Sequence, residues 1–466
     1  MALKINVDVF REYDIRGIAG QDLNDAFAER LGRAYALYLA RLNPTVNRQR
    51  RRVAVGHDCR ISSPAYAKAL ISGLVKGGIE VLSLGNCPTP TTYFSLFHFE
   101  LAGAIMITAS HLAADHNGFK ICVGQSAIYG DQIQELRKMM EGDLSLTMVE
   151  GGSVIELPLL PVYVNYLREI TPVITKKKIV IDCGNGNGSQ VMPQIFKSLG
   201  AEVIELYCVL DGRFPNHIPD PSVAANNADL IAAVQEHRAD FGIAIDGDAD
   251  RLGVIDETGK IVYGDDLLVI FSRDILRCHP GATVISEVKA SYRLYDDVAK
   301  HGGRAIMWKT GHSLIEAKMK ETRALLGGEM SGHMFFADRY FGYDDAVYAA
   351  LRIYEIAAGH SGPFSTLLEG LPTSVRTPEI RISCDDAKKF KVVENIKTML
   401  QKKFAGTQAK INLIDGIRID FQDGWGLMRA SNTEAVLSLR FEAINETRLA
   451  SIRKIFEDAL AEARND

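Results

Sequence analysis

The chain alternates repeatedly between a short apolar run that fits one buried strand and a longer segment with helical periodicity, and no other feature constrains the fold as strongly. Runs at 52–55, 80–84 and 103–108 read as strands, with a helix over 62–76 between the first two. A second series opens with a strand at 177–183, a Gly-rich turn at 184–188 and a helix near 189–199, then adds strands at 202–207 and 241–245. A third begins near Gly259, with strands at 283–285 and 304–307 around a helix at 292–301. This order predicts an α/β fold with mostly parallel, doubly wound sheets. Pro363, Pro372 and Pro378 then punctuate a boundary. Beyond it, a helix over 385–404, strands at 416–421 and 435–441 and a closing helix at 448–463 read as a smaller, separate α+β unit. A length of 466 residues agrees with three or four domains. The expected divisions are α/β domains at 1–154, 155–258 and 259–370 and a C-terminal α+β domain at 371–466.

Open α/β sheets keep their ligands beyond the C-terminal ends of the strands. Residues 106–120, MITASHLAADHNGFK, place Ser110 and His111 at such an end, where a serine can act as a phosphoryl carrier. Residues 241–251, FGIAIDGDADR, end an apolar run with Asp246, Asp248 and Asp250 at alternate positions, and Gly247 relieves backbone crowding between them. Three hard oxygen ligands with no Cys or nearby His suit Mg²⁺ better than Zn²⁺. Without a cation they would repel one another. With Glu257 the same aspartates match an EF-hand spacing, but Arg251 stands where that loop needs Gly, and the preceding segment reads as strand.

Two further segments are polar and Gly-rich. In LLGGEMSGH, 325–333, Glu329 and Ser331 can exchange hydrogen bonds with sugar hydroxyls. In MRASNTE, 428–434, read as a polar hairpin loop, Arg429, Ser431, Asn432 and Thr433 combine a charged fork with short donors that suit a phosphate. The GNGNG at 184–188 resembles a dinucleotide fingerprint, but Ser189 stands at the third glycine position, so it reads as a tight strand-to-helix turn.

A formal net charge of −5 gives no general attraction to nucleic acid or an anionic membrane, so an anionic substrate must be met by local positive charge. The Arg-rich stretch 48–52 reads as a solvated loop. Seven cysteines without a C-x-x-C pair argue against a disulfide scaffold or zinc ribbon, and several lie in apolar runs as small core residues. With no long apolar segment at the N-terminus or elsewhere, the chain is expected to be cytoplasmic.

Six segments occur in a fixed order: FREYDIRG at 10–17, Ser110-His111, DGDADR at 246–251, MWKTGH at 307–312, GEMSGH at 328–333 and RASNTE at 429–434. In that order they resemble the α-D-phosphohexomutase superfamily, most closely its bacterial phosphomannomutase/phosphoglucomutase branch, over nearly the whole chain. One departure is plain: the family's loop usually reads Ser-His-Asn-Pro, and here Leu112 and Ala113 replace the Asn and Pro. That removes a polar contact and a rigid turn.

The resemblance implies three similar α/β domains and a smaller C-terminal one around a central cleft, each supplying one loop. It implies a cytoplasmic enzyme that interconverts hexose 1-phosphate and hexose 6-phosphate through a phosphoserine at Ser110 and a 1,6-bisphosphate intermediate. Mg²⁺ is held by Asp246, Asp248, Asp250 and Ser110, and the bisphosphate serves as activator. His111, Lys120 and His312 are the expected proton-transfer groups, with Arg251 as fixed positive charge. Tyr13, Arg16, Lys289, Gly311, His312, Glu329, Ser331, His333, Arg429, Ser431, Asn432 and Thr433 are expected to bind substrate. The GEMSGH motif and Asn432 favour mannose and glucose over an amino sugar, the alternative being a phosphoglucosamine mutase. A metal-dependent sugar-phosphate phosphatase and a non-catalytic phosphosugar-binding protein are the readings from other classes. The expected partner is a small phosphosugar, with no nucleic acid and no membrane, for a monomer or weak oligomer.

Overall fold

The computed structural model describes residues 5–42, 51–144, 151–172 and 176–464. Its first sheet has seven strands, running Ile15–Ile18, His116–Val123, Gly103–Ile107, Arg52–His57, Glu80–Asn86 and Ser153–Glu156, with Ser126–Ala127 added beside His116–Val123. The second runs Ile261–Val262, Leu252–Asp256, Phe241–Ile245, Lys178–Asp182, Glu202–Leu206, and the third Arg304–Trp308, Thr283–Glu287, Leu326–Gly328, Met334–Phe336. In each, the strands joined by helices are parallel, as their order requires.

The sheets are mixed rather than purely parallel, and the exception recurs. The strands Gly103–Ile107, Phe241–Ile245 and Leu326–Gly328 are each followed at once by an antiparallel partner, His116–Val123, Leu252–Asp256 and Met334–Phe336. The three polar segments singled out above are the connections of these three hairpins. They therefore occupy the same place in three similar units.

One apolar core runs through the first three units and fixes those connections relative to one another. It holds Phe94 from the helix Thr89–His98, Tyr163 from Leu160–Ile170, Ile181 and Ile243 from the second sheet, and Leu351 from Ala346–Gly359. The helix Ala346–Gly359 is buried almost all round, which explains its run of alanines and aromatics without charged residues before Arg352. The C-terminal unit has its own core, in which an antiparallel sheet packs on Lys389–Phe404 and Glu446–Ala463.

Several expectations need correction. The first sheet keeps Ser153–Glu156 and the second Ile261–Val262, so strand pairing carries both units a few residues past 154 and 258. The helix expected over 385–404 begins at Lys389, because the Asp385 carboxylate accepts the Ala387 N–H and closes a turn first. The helix near 189–199 is a 3₁₀ turn, Asn187–Gln190, followed by Met192–Ser198, with Pro193 in the first turn where a missing N–H costs nothing. In the stretch 48–52, Arg51 is buried and Arg52 opens a strand with its guanidinium on Glu80; residues 48–50 lie outside the described ones. All seven cysteines are free. Among the described residues, no helix is long and apolar enough to cross a membrane.

Candidate functional site

The Ser110 connection is held in a shape its own sequence does not favour. Ser110 has a positive φ of 51°, a conformation that costs an L-residue about 1 kcal/mol or more, so the surroundings must impose it. Arg60, fully buried, does so: its guanidinium donates to the carbonyls of Ser110 (2.8 Å), Leu112 (2.6 Å), Ala113 (2.5 Å) and His116 (3.1 Å), while Nε rests on Asp58. One planar fork thus does what Pro would do locally, and Leu112-Ala113 is accommodated without a rigid turn.

The second connection meets the first. Ser110 Oγ donates to Asp246 Oδ2 at 2.6 Å, and His111 Nδ1 lies 3.1 Å from the same Oγ. The other Asp246 oxygen accepts the N–H groups of Asp250 and Arg251, which curls the loop so that all three carboxylates face one point. Thr89, at the N-terminus of Thr89–His98, donates its hydroxyl to Asp248 Oδ2 at 2.6 Å. The approach is close enough to require glycine: between the units, a Cβ on Gly247 would lie 2.5 Å from the Ser110 carbonyl oxygen, and within the second unit one on Gly186 would lie 2.6 Å from that of Gly247. Gly186 of the 184–188 turn therefore serves backbone approach to the aspartate loop, whereas Gly184 meets Pro219 and Gly188 the Ile245 side chain.

Asp246, Asp248 and Asp250 are buried with ligand atoms within 4.8 Å of one another. Lys120 donates to Asp248 Oδ2 at 2.8 Å and to Asp250 Oδ2, yet Asp248 Oδ1 and Asp250 Oδ1 are buried with no hydrogen-bond partner. Orphaned carboxylate oxygens on a site of oxygen donors are what a hard divalent cation would satisfy. Burial, then Asp250 and Asp248, raises the pKa of Asp246. Burial also opposes charge on Asp250, but Lys120, His333 and Arg251 outweigh it and hold that carboxylate ionised. Lys120 is likewise desolvated, but Asp248 and Asp250 keep its ammonium charged, so here it acts as a fixed cation. Glu257, the residue an EF-hand would need, instead accepts from the Ser365 N–H and hydroxyl.

Of the histidines that line the cleft, His111, His312 and His333 are buried close to this floor. Burial, then Arg251 and Arg16, holds His111 well below the ordinary range, and burial, then His333, does the same to His312, so both rings are neutral near pH 7. His333 is different: burial is outweighed by Asp250 and Asp344, which raise its pKa. Its Nε2 accepts from Arg251 Nε at 2.9 Å, which leaves the ring proton on Nδ1, 2.8 Å from Asp344.

The cleft is a cavity of about 960 Å³ lined from all four units, with Tyr13, Arg16, Arg251, Lys289, Gly311, Glu329, Ser331, Arg429, Ser431 and Thr433 on its walls. Glu329 accepts the Gly311 N–H at 2.7 Å, and Gly311, at φ 137° against the Tyr13 ring, has no room for a Cβ. Lys289 lies 3.5 Å from Glu287 and 3.6 Å from Glu379, and Arg16 donates to Asp14 at 2.6 Å. Arg429 is on the strand Gly424–Ala430, not in the loop that follows, which gives it a fixed base. Asn432 does not line the cavity: its amide donates to the Tyr13 hydroxyl at 2.7 Å, joining the C-terminal loop to the first unit. No motif read from the sequence singles out Arg60, Thr89, Glu287, Asp344 or Asp415, whose carboxylate accepts from Arg429 Nε at 2.9 Å. Of these only Asp58-x-Arg60, at the end of a predicted strand, carried a local signal; the rest lie in unremarkable surroundings.

Four family profiles match in order: phosphoglucomutase/phosphomannomutase α/β/α domain I at residues 7–145, domain II at 161–259, domain III at 263–375 and the C-terminal domain at 379–459. A phosphomannomutase/phosphoglucomutase of Pseudomonas aeruginosa is 44% identical over 454 residues, 97% of this chain and 95% of its own. A phosphoglucomutase of Neisseria gonorrhoeae is 42% identical, covering 97% of this chain and 96% of its own. A solved phosphoglucomutase/phosphomannomutase family protein from Burkholderia thailandensis superposes with a TM-score of 0.90 at 38% identity, covering 99% of this chain and 98% of that one.

Proposed function

This chain belongs to the phosphoglucomutase/phosphomannomutase family and is a mutase; on that premise we propose that it interconverts the 1- and 6-phosphates of glucose and of mannose through a phosphate carried on Ser110. The observation that carries the reading is the approach of Ser110 Oγ to Asp246 at 2.6 Å, beneath a cleft whose walls supply Arg16, Arg251, Lys289 and Arg429. A phosphatase of the aspartyl kind would use a carboxylate as nucleophile, whereas here the strained, positioned group is a serine.

The reaction is a displacement at phosphorus. A sugar hydroxyl forms a bond to the phosphoryl group as the bond to Ser110 Oγ breaks, giving the 1,6-bisphosphate; after the sugar turns over, its other phosphate returns to Ser110. The attacking hydroxyl must lose a proton, and the neutral rings of His111 and His312 are the available acceptors, since His333 Nε2 is already engaged by Arg251. Arg251, fixed on His333, and Arg16 stabilise charge on the transferring group. Mg²⁺, held by Asp246, Asp248 and Asp250, would supply further charge neutralisation beside Ser110. The bisphosphate also serves as activator, by restoring phosphate to Ser110.

Arg429, Ser431 and Thr433 grip the phosphate that is not reacting, in both orientations of the sugar. Glu329 and Ser331 hold O3 and O4. Since neither contact reads C2, where glucose and mannose differ, both sugars are accepted. A coupled assay tests this, with glucose 1-phosphate or mannose 1-phosphate, a trace of the 1,6-bisphosphate and Mg²⁺. Formation of both 6-phosphates supports the reading; release of inorganic phosphate alone, or no turnover, contradicts it.

A further inference from the structure

We infer that Asp415 is a positioning residue, through which the seating of the C-terminal unit on the third unit sets the aim of the Arg429 phosphate grip. Asp415 lies between the strands Lys410–Asn412 and Ile417–Phe421, and one of its oxygens, Oδ2, accepts two hydrogen bonds. One comes from Arg429 Nε at 2.9 Å within the C-terminal unit, the other from the Thr310 N–H at 2.9 Å in the third unit.

Arg429 is 4% exposed, and among the described residues Asp415 is its sole side-chain hydrogen-bond partner. A guanidinium has five donors in one plane, so anchoring Nε fixes the plane and leaves the Nη1/Nη2 edge as the fork for a bidentate phosphate. Without the anchor the side chain has nearby Glu287 as a competing carboxylate, one of the charges that already act on it.

Thr310 makes the anchor conditional on closure. Its carbonyl accepts from the Tyr13 hydroxyl of the first unit at 2.6 Å, its hydroxyl donates to Glu287 at 2.5 Å, and its N–H goes to Asp415. The next N–H, that of Gly311, goes to Glu329. Asp415 thereby joins the phosphate grip to the loop that carries the sugar-facing carboxylate. If the C-terminal unit lifts away, the Thr310 bond breaks and Oδ2 is freed to rotate, taking Arg429 with it.

The inference rests on the reading that Arg429 grips substrate phosphate, and a double-mutant cycle separates the two. Full-length wild type, Arg429→Ala, Asp415→Ala and the double variant are compared for kcat and KM with glucose 1-phosphate and glucose 6-phosphate, and for inhibition by inorganic phosphate. Asp415→Ala should raise KM for both sugars and weaken phosphate inhibition by roughly 10-fold, the loss expected for a misaimed charge-assisted contact. In the Arg429→Ala background the same change should alter kcat/KM by less than about twofold, because the residues act as one. Asp415→Asn keeps the shape and an acceptor for Thr310 N–H; it serves if the Ala variant melts early, and should still raise KM. Equal losses from Asp415→Ala with and without Arg429, or an Asn variant with unchanged KM, would overturn the inference while leaving the grip intact. An Arg429→Ala enzyme with unchanged kcat/KM would instead remove the reading beneath it, and the inference with it.

Discussion

The floor of the cleft and its C-terminal wall handle charge in opposite ways. At the floor Ser110, Lys120, Asp246, Asp248 and Asp250 are all nearly or completely buried, two residues, Ser110 and Ala249, are held at positive φ, and two carboxylate oxygens, Asp248 Oδ1 and Asp250 Oδ1, have no hydrogen-bond partner. The wall has two buried cations on regular strands, Arg429 and Arg440, of which Arg440 is tied to Asp265, with neutral donors on a partly exposed loop and the partly exposed ion pair Arg11–Asp386 nearby. Burial makes every charge at the floor interact strongly, which suits a group that must stabilise a transient phosphoryl charge. In the proposed reaction the wall binds a phosphate, releases it and binds another, so moderate, separable contacts suit it better.

If that division is right, the floor should fail by far larger factors than the wall. Ser110→Ala should lower mutase turnover by several orders of magnitude while leaving the melting temperature close to wild type, since only the hydroxyl's contacts with Asp246 and His111 are lost. Steady-state kinetics and a melt on the same sample check both. A loss of only a few-fold would erase the distinction between the two regions.

Asp248→Asn comes next. It removes one of three converging carboxylates, so Mg²⁺ affinity and kcat should both fall, and adding chelator should bring wild type down to the variant's rate. Glu257→Gln, whose carboxylate serves Ser365, should leave Mg²⁺ affinity as it is. Calorimetric titration of the two variants decides; metal loss in the Glu257 variant alone would misplace the site.

At the wall, Arg429→Ala should reduce kcat/KM by roughly 10- to 150-fold from both the 1-phosphate and the 6-phosphate, the range for losing charge-assisted bonds to a partly desolvated phosphate. Mg²⁺ affinity should not change. An effect confined to one direction would mean that the wall serves only one orientation of the sugar.

The smallest effects sharpen the role of burial. Glu316, where the helix His312–Thr322 meets the first unit, is pushed by burial to a pKa of about 7, with Lys320 pulling the other way. The ordinary value is 4.5, so the folded state holds the proton more tightly than the unfolded one. Stability from this group is complete below the unfolded value and is lost as pH rises toward 7, by about 1–3 kcal/mol. Glu316→Gln should flatten that decline in melts across pH 4 to 8. Arg11→Ala, by contrast, removes an exposed pair and should cost under about 1 kcal/mol, with little pH dependence above 5.

The sequence made the floor legible and the supports around it much less so. Ser110 and the aspartates could be found because an apolar run that stops abruptly at short polar residues marks a strand end. The return strands after each loop could not be oriented, since an alternating run such as 116–123 has the same pattern in either direction. Arg60, Thr89 and Asp415 act across chain separations that no local pattern spans; Thr89 and Asp248, for example, are 159 residues apart. Arg429 is legible as a residue type, but 428–434 reads as a polar loop until the pairing of Gly424–Ala430 with Ile417–Phe421 is seen.

The central claim is that Ser110 carries the phosphate, and peptide mapping by mass spectrometry after incubation with glucose 1,6-bisphosphate and Mg²⁺ tests it most directly. The account predicts one phosphate on the peptide containing Ser110, lost on chase with excess glucose 6-phosphate and absent from Ser110→Ala. An active enzyme whose Ser110 peptide never gains phosphate, or gains one that excess sugar phosphate does not remove, would contradict it.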